Sequence, residues 1–288
     1  MAVNPLFQRL ALLSGEAALD ALARTRVLVF GLGGVGGWCA EALVRSGIGR
    51  IGIVDSDRVC VTNINRQVQA TTSTLGQSKA RALEKRLREI NPGCVVEAFP
   101  KVFSRETAAA FDIPGADYII DAIDSLGHKL DLIEYCAAAG VPLYSSMGMA
   151  CKLDPARLRT ADIWETQGCP LARLVRAGLR KRGFTGHLMV VYSDEHISQD
   201  QSIPLACGSA RCLCHLRFEG LPETASEDSP VDSPADEALV DWCSSKKVIN
   251  GSAVTVTATA GMILASLVIR EVCRRVSPEL PPGEPPRG

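Results

Sequence analysis

The sequence predicts an α/β protein: a Rossmann-like, doubly wound, mostly parallel sheet with helices on both faces. Three observations predict it. A short apolar run, VLVF at 27–30, leads directly into the glycine turn GLGGVGG at 31–37. Apolar runs of strand length then alternate with amphipathic segments through residue 147. Two of these runs, RIGIVDSD and DYIIDAID, end in carboxylates, on the sheet edge where ligands bind in folds of this class.

Each element has its own signal. Residues 4–24 read as helical, with Leu6, Leu10, Leu13, Ala17 and Leu22 near a 3.6-residue period and a break at Ser14 and Gly15. That segment is a cover over the sheet or a dimer arm. After the glycine turn, WCAEALVRSGIG is a helix, and the following strand closes at Asp55 and Asp57. The run TLGQSKARALEKRLREIN is a second amphipathic helix with a stripe of Ala80, Leu83, Leu87 and Ile90, stopped by Pro92. Then come CVVEAFP as strand, SRETAAAF as helix, DYIIDAID as a buried strand, a helix over about 129–139, and VPLYSSM as strand.

The second half is less regular and completes the same domain. LRTADIWET alternates like a strand, CPLARLVRAGLRKRG is a basic helix, and HLMVVYSDE is a strand. The uncharged stretch 248–269 is long enough to raise a membrane span, but its Asn250, Gly251, Ser252 and threonines favour a buried strand or packed loop, with GMILASLVI as a core helix behind it. The organisation is an N-terminal helical arm (1–25), a nucleotide-binding core (26–150) and a C-terminal, substrate-side part (151–276). An acidic Pro/Ser-rich insertion at 221–238 and a Pro-rich tail at 277–288 read as disordered.

Composition bounds the function. With 47% hydrophobic residues the chain can bury a large core, and a net charge of -1 gives no global pull toward nucleic acid, so such a partner needs a local basic patch. The first 13 residues lack a basic segment joined to a long apolar run, which points to a cytoplasmic protein. Eleven scattered cysteines, none in a CxxC pair, fit reduced thiols. The cluster Cys207, Cys212, Cys214 and His215 is spaced too tightly for paired zinc ligands, so loop or strand thiols are the better reading.

The glycines let a backbone approach phosphates, the helix N-terminus behind them favours anions, and Asp55 can accept from ribose hydroxyls. That much suits many dinucleotides. The polar set that follows, Asn63, Asn65, Arg66, Gln67 and Lys79, is not what a nicotinamide site calls for; converging cations suit a triphosphate and its departing pyrophosphate. Asp124 is placed to hold Mg²⁺ bridging phosphates. Taken singly, Arg66 and Lys79 could be surface ion-pair residues.

The order GLGGVGG, DSDRVCVTNINRQ, GQSKA and DAID resembles the E1-like adenylating superfamily over residues of about 5–150. The resemblance implies that Gly31, Gly33, Gly34 and Gly36 line ATP phosphates, that Asp55 binds ribose with Asp57 beside it, and that Asn63, Arg66 and Lys79 contact phosphates. It further implies that Asp124 binds the metal and that Arg9 reaches ATP across a homodimer interface; an exposed helix arginine is the alternative for Arg9. Ser125 departs from the Asn many members carry after that Asp. Within the superfamily, QRLALLSGE, DAIDSLGHK, LDPARLRTADI, the basic helix and GSAVTVTATAG resemble the tRNA threonylcarbamoyladenosine dehydratases. The implied reaction is ATP-dependent cyclisation of threonylcarbamoyladenosine in tRNA through an acyl-adenylate, with ATP and Mg²⁺ as cofactors.

Two other classes stay open: an activator of a sulfur-carrier or ubiquitin-like protein, and a nucleotide-sensing or NAD-linked protein. A sulfur-relay protein is a further candidate partner. Cys243 lies about where superfamily members carry crossover-loop cysteines, and an ordinary thiol is the simpler reading. Arg173, Arg176, Arg180, Lys181 and Arg182, with Lys246 and Lys247, are the candidates for tRNA phosphate contacts, against a merely solvated helix face.

Overall fold

A computed structural model describes residues 4–196, 202–203 and 249–276. Its centre is a seven-stranded sheet of order β3-β2-β1-β4-β5-β7-β6. The strands are β1 (Arg26–Phe30), β2 (Arg50–Val54), β3 (Val95–Phe99), β4 (Tyr118–Asp121), β5 (Leu143–Ser146), β6 (Leu158–Asp162) and β7 (Met189–Ser193). All neighbours run parallel except β6, which pairs antiparallel with β7 at the edge. The strands of the less regular half therefore extend the sheet of the first. Residues Ser202–Ile203 and Ile249–Asn250 form a separate two-residue ladder.

Strand β1 is buried along its whole length, and its alternation divides the core. Val27 and Val29 face the cluster built with α3 (Gly36–Arg45), α4 (Lys79–Ile90) and α7 (Val254–Val276). Leu28 and Phe30 face the other side, where Phe30 meets Phe103 and Phe111 edge-on at 5.3 and 5.4 Å. On that second face also lie α5 (Leu126–Ala139) and α6 (Pro170–Lys181), joined through Leu130, Ile133, Val175 and Leu179. The N-terminal segment forms α1 (Gln8–Ser14) and α2 (Glu16–Arg24), separated by Gly15 at φ 84°.

Four local expectations are corrected. The segment SRETAAAF contains only a 3-10 turn, Ala108–Phe111, which inserts Phe111 into the core rather than presenting a helical stripe. The second amphipathic helix starts at Lys79, not at Thr74, because Thr71 and Thr74 bond one another in a separate turn. Helix α5 begins three residues early, at Leu126. The threonine-rich stretch expected as strand or loop is helical from Val254 onward. Helix α7 is long and apolar enough to cross a membrane, yet half of its apolar window is buried: Val256, Ala260, Leu264, Ala265 and Val268 pack into the core. A Cβ on Gly261 would lie 2.4 Å from the Val35 carbonyl oxygen, so this glycine lets α7 lie directly on the start of α3. The acidic insertion 221–238 and the tail 277–288 fall outside the described residues.

Glu41 fastens α3 to α4 by accepting from Arg45 Nε at 2.8 Å and from Arg86 Nε at 2.6 Å. Burial alone would push its carboxyl up, but the two guanidinium groups outweigh that and hold it below the ordinary glutamate range. A lowered folded pKa means the stabilisation is complete above the unfolded value of about 4.3 and is lost as pH falls through the folded value. Glu41→Gln is therefore expected to cost about 1–3 kcal/mol at pH 7, with the gap to the parent protein closing below about pH 4 in urea titrations. Phe30→Ala should cost about 3–5 kcal/mol by the same measurement, since the rings of Phe103 and Phe111 lose their common neighbour.

Candidate nucleotide site

The order of the sheet reverses at β1, whose neighbours β2 and β4 are reached in opposite directions, and the crevice at their carboxyl ends is where such folds bind ligands. Gly31 leaves β1 at φ 87°, in the left-handed region, and a Cβ there would meet the Ala122 carbonyl oxygen at 2.6 Å. A Cβ on Gly36 would lie 1.8 Å from the Gly31 carbonyl oxygen. Gly34 is closed in by Thr257 Oγ1 at 2.9 Å and Arg66 Cγ at 3.2 Å from the same hypothetical atom. Gly33 alone of the four faces nothing within 4 Å. The turn thus packs tightly on its protein side and is open at Gly33, with the amide end of α3 behind it.

Asp55, just past β2, accepts from the Leu32 amide at 2.7 Å and from the Asp57 amide at 2.8 Å. Burial raises its carboxyl above the usual range and the neighbouring Asp57 charge adds to this, while the Lys79 ammonium and the two amides oppose it. Asp57 in turn accepts from Lys79 Nζ at 2.8 Å and, through its carbonyl, from the Lys79 amide at 2.9 Å. Lys79 is the first residue of α4 and only 4% exposed, so its cation is delivered into the site rather than to solvent. Asn63 is buried close by and accepts from the Cys60 amide at 3.0 Å.

Arg66 is half-buried, donating to the Thr62 carbonyl at 2.8 Å and Asn65 Oδ1 at 2.9 Å, while its own carbonyl accepts from Trp38 Nε1 at 3.0 Å. Burial pulls its guanidinium below the ordinary value; Cys60 and Asp124 nearby act in the other direction. Asp124 is exposed on the turn after β4 and within electrostatic reach of Arg66. The structure thus brings together Gly31, Gly33, Gly34, Gly36, Asp55, Asp57, Asn63, Arg66, Lys79 and Asp124. It does not bring Arg9, which is exposed on α1 and, among the described residues, makes no hydrogen bond or ion pair with this set.

The described residues contain no group of three or more His, Cys, Asp or Glu that could hold a metal. A single carboxylate at the mouth fits Mg²⁺ nonetheless, because that ion is held by one or two carboxylates together with ligand phosphates.

Three contributors escaped sequence reasoning. Gln69, buried, donates to the Leu32 carbonyl at 2.6 Å and so shapes the glycine turn from beneath. Thr257 closes Gly34, and the Ser252 carbonyl accepts from Asn65 Nδ2 at 2.9 Å, both from the far end of the chain. Only the GSAVTVTATAG motif hinted at them, without a role. Cations of the basic helix also make contacts within the chain. Arg176 donates to the carbonyls of Ile163 and Thr166 and to Thr166 Oγ1, Arg180 lies over the Trp164 ring at 5.3 Å, and Arg182 pairs with Asp131 and Glu134. Those three side chains thus have partners within the chain. Arg173 and Lys181 are the exposed cations of that helix without such partners among the described residues. Cys207, Cys212, Cys214, His215, Cys243, Lys246 and Lys247 lie outside the described residues.

Comparison with known proteins agrees with this geometry. The ThiF family model matches residues 7–282. The tRNA threonylcarbamoyladenosine dehydratase of Bacillus subtilis is 45% identical over 189 residues, 66% of this chain and 74% of that protein. The protein of the same name from Haemophilus influenzae is 33% identical over 261 residues, 90% of each chain. The crystal structure of E. coli tRNA N6-threonylcarbamoyladenosine dehydratase in complex with ATP superposes with a TM-score of 0.75 at 29% identity, covering 97% of this chain and all of that one.

The two kinds of glycine separate experimentally. Gly36→Ala should weaken nucleotide binding by at least about tenfold, or 1.4 kcal/mol, in a fluorescent-nucleotide titration and lower the melting temperature, because backbone must move. Gly33→Ala should leave the melting temperature unchanged and weaken nucleotide binding alone.

Proposed function

The chain belongs to the ThiF family, and from that premise we infer that it is an ATP-dependent tRNA threonylcarbamoyladenosine dehydratase. What supports the chemistry is the placement of Arg66 against Gly34, of Lys79 on Asp57 beside Asp55, and of Asp124 within electrostatic reach of Arg66. A ribose-binding carboxylate and glycines alone would serve hydride transfer equally well. Two cations and an outlying carboxylate beside a glycine turn that is open at Gly33 suit the transfer of AMP.

The substrate carboxylate is a poor electrophile because its oxygen is a poor leaving group. Attack of that oxygen on the α-phosphorus of ATP forms a mixed anhydride and releases pyrophosphate. A nitrogen or oxygen of the neighbouring carbamoyl group then attacks the acyl carbon, the bond to AMP breaks, and a proton is lost as the ring closes. The balance is loss of one water from the nucleoside and conversion of ATP to AMP and pyrophosphate. Because the attacking group is already in the same molecule, effective molarity is high and no cysteine is needed as a relay.

This reading gives each residue a role. Gly31, Gly33, Gly34 and Gly36 admit the triphosphate to the N-terminus of α3, and Asp55 accepts from the ribose hydroxyls. Asn63, Arg66 and Lys79 meet the phosphates, with Asp57 holding Lys79 in place until the nucleotide arrives. Asp124 would hold Mg²⁺, which when bound neutralises phosphate charge. Arg9 reaches the site from the second subunit of a homodimer, which explains why the single chain leaves it in solvent. Arg173 and Lys181 remain as candidates for tRNA phosphates.

Incubation with ATP, Mg²⁺ and threonylcarbamoylated tRNA should give AMP and a modified nucleoside lighter by one water, read by mass spectrometry of the digested tRNA. Lys79→Ala should slow this by about 100-fold or more, as loss of a charge stabiliser does. No loss of water would overturn the reading. Pyrophosphate exchange appearing only with a carrier protein ending in Gly-Gly would put carrier activation in its place.

A further inference from the structure

Beneath the turn that carries Asp124 lies a charged pair with no access to solvent. Asp121, the last residue of β4, and Lys129, in the first turns of α5, are both 0% exposed and 2.6 Å apart. The same Asp121 oxygen accepts from Ser145 Oγ at 2.6 Å, and the other accepts from the Ile123 amide at 3.0 Å. Lys129 Nζ spends its remaining donors on Ser145 Oγ at 3.2 Å and the Ser146 carbonyl at 3.0 Å. An ammonium has three donors, and all three are taken, so Lys129 has none for a substrate.

Stability is a poor reason for such a pair. Desolvating two charges offsets most of their attraction, and apolar residues of equal volume often do as well. What the pair does supply is position. It ties the ends of β4 and β5 and the start of α5 to one point, and through the Ile123 amide it fixes the turn 122–124. That turn is held on its other side by the Ala122 amide, which donates to the Phe30 carbonyl at 2.8 Å, and by the contact of the Ala122 carbonyl with Gly31. Asp124 ends this turn, exposed, and its charge acts on Arg66.

We propose that Asp121 and Lys129, with Ser145, are positioning residues that set Asp124 against the glycine turn and so fix where the metal–phosphate unit sits. The proposal rests on the adenylating function above but is tested apart from it. Lys129→Met removes the cation at similar volume. Nucleotide affinity measured with and without Mg²⁺ should lose its Mg²⁺-dependent part in Lys129→Met, as in Asp124→Asn, while affinity without Mg²⁺ stays the same. In turnover, Lys129→Met should lower kcat for AMP formation by about 10- to 100-fold, the range for groups that orient a metal ligand. The Lys129→Met/Asp124→Asn double variant should be no slower than Asp124→Asn, because both act at one point.

A folded Lys129→Met with unchanged Mg²⁺ dependence, or losses that multiply in the double variant, would overturn the proposal. Should Lys129→Met not fold, as circular dichroism would show, Ser145→Ala keeps the ion pair and removes one anchor; a smaller shift in the same Mg²⁺ dependence is expected, and none would sink the idea. A parent protein that forms no AMP would end the functional reading, yet the Mg²⁺-dependent nucleotide affinity would still decide this one.

Discussion

The carboxylate of Asp55 carries two obligations at once. Its oxygens accept from the Leu32 amide in the glycine turn and from the Asp57 amide on its own loop, so it sets the distance between the end of β1 and the end of β2. Asp57 then anchors Lys79 and with it the first turn of α4. Without Asp55, a partly enclosed amide would lose its acceptor and the turn would lose its brace, a penalty of about 1–3 kcal/mol before any ligand is considered. Each carboxylate oxygen keeps a second lone pair, which is what a ribose hydroxyl requires. In the proposed reading fold and ligand draw on the same group, so a substitution there would not separate them.

The neighbouring polar groups show the same economy at the two ends of the sheet. Arg26, which begins β1, is 7% exposed and donates to Asp112 Oδ2 at 2.7 Å and to the Asp112 carbonyl at 2.9 Å, with Glu97 at 3.5 Å. Asp121 and Lys129 occupy the opposite end. Between them the strands carry Val, Leu, Ile and Phe, which pack well but tolerate sliding and repacking. Directional bonds at both ends fix the register that apolar packing leaves loose.

Much of this was legible along the chain because the governing interactions are local. The strand, glycine turn and helix of 26–45 are one continuous signal, and Asp55, Asn63, Arg66 and Lys79 follow within a span that a single loop can gather. Asp124 was legible because DAID ends a recognisable buried strand. What escaped depends on contacts between distant segments. Nothing in the amphipathic pattern of α6 distinguishes Arg173, facing solvent, from Arg176, turned back onto the carbonyls of Ile163 and Thr166. Lys129 sits in an apolar helix where one cation looks like a solvated position, and only the arrival of Asp121 and Ser145 makes it a core residue. Gln69 resembles any polar loop residue until the Leu32 carbonyl is seen above it.

The place of α7 bears on how the protein comes into being. Gly34, in the first eighth of the chain, is enclosed by Thr257, in the last eighth, and Gly261 lets that same helix rest on the opening turn of α3. Chain growth on the ribosome runs from one to the other. A nascent chain that has already emerged with β1, the glycine turn, α4 and Asp124 still lacks one wall of its nucleotide cradle. The cradle closes only when α7 has left the exit tunnel, so an unfinished chain has the recognisable motif without the finished cradle.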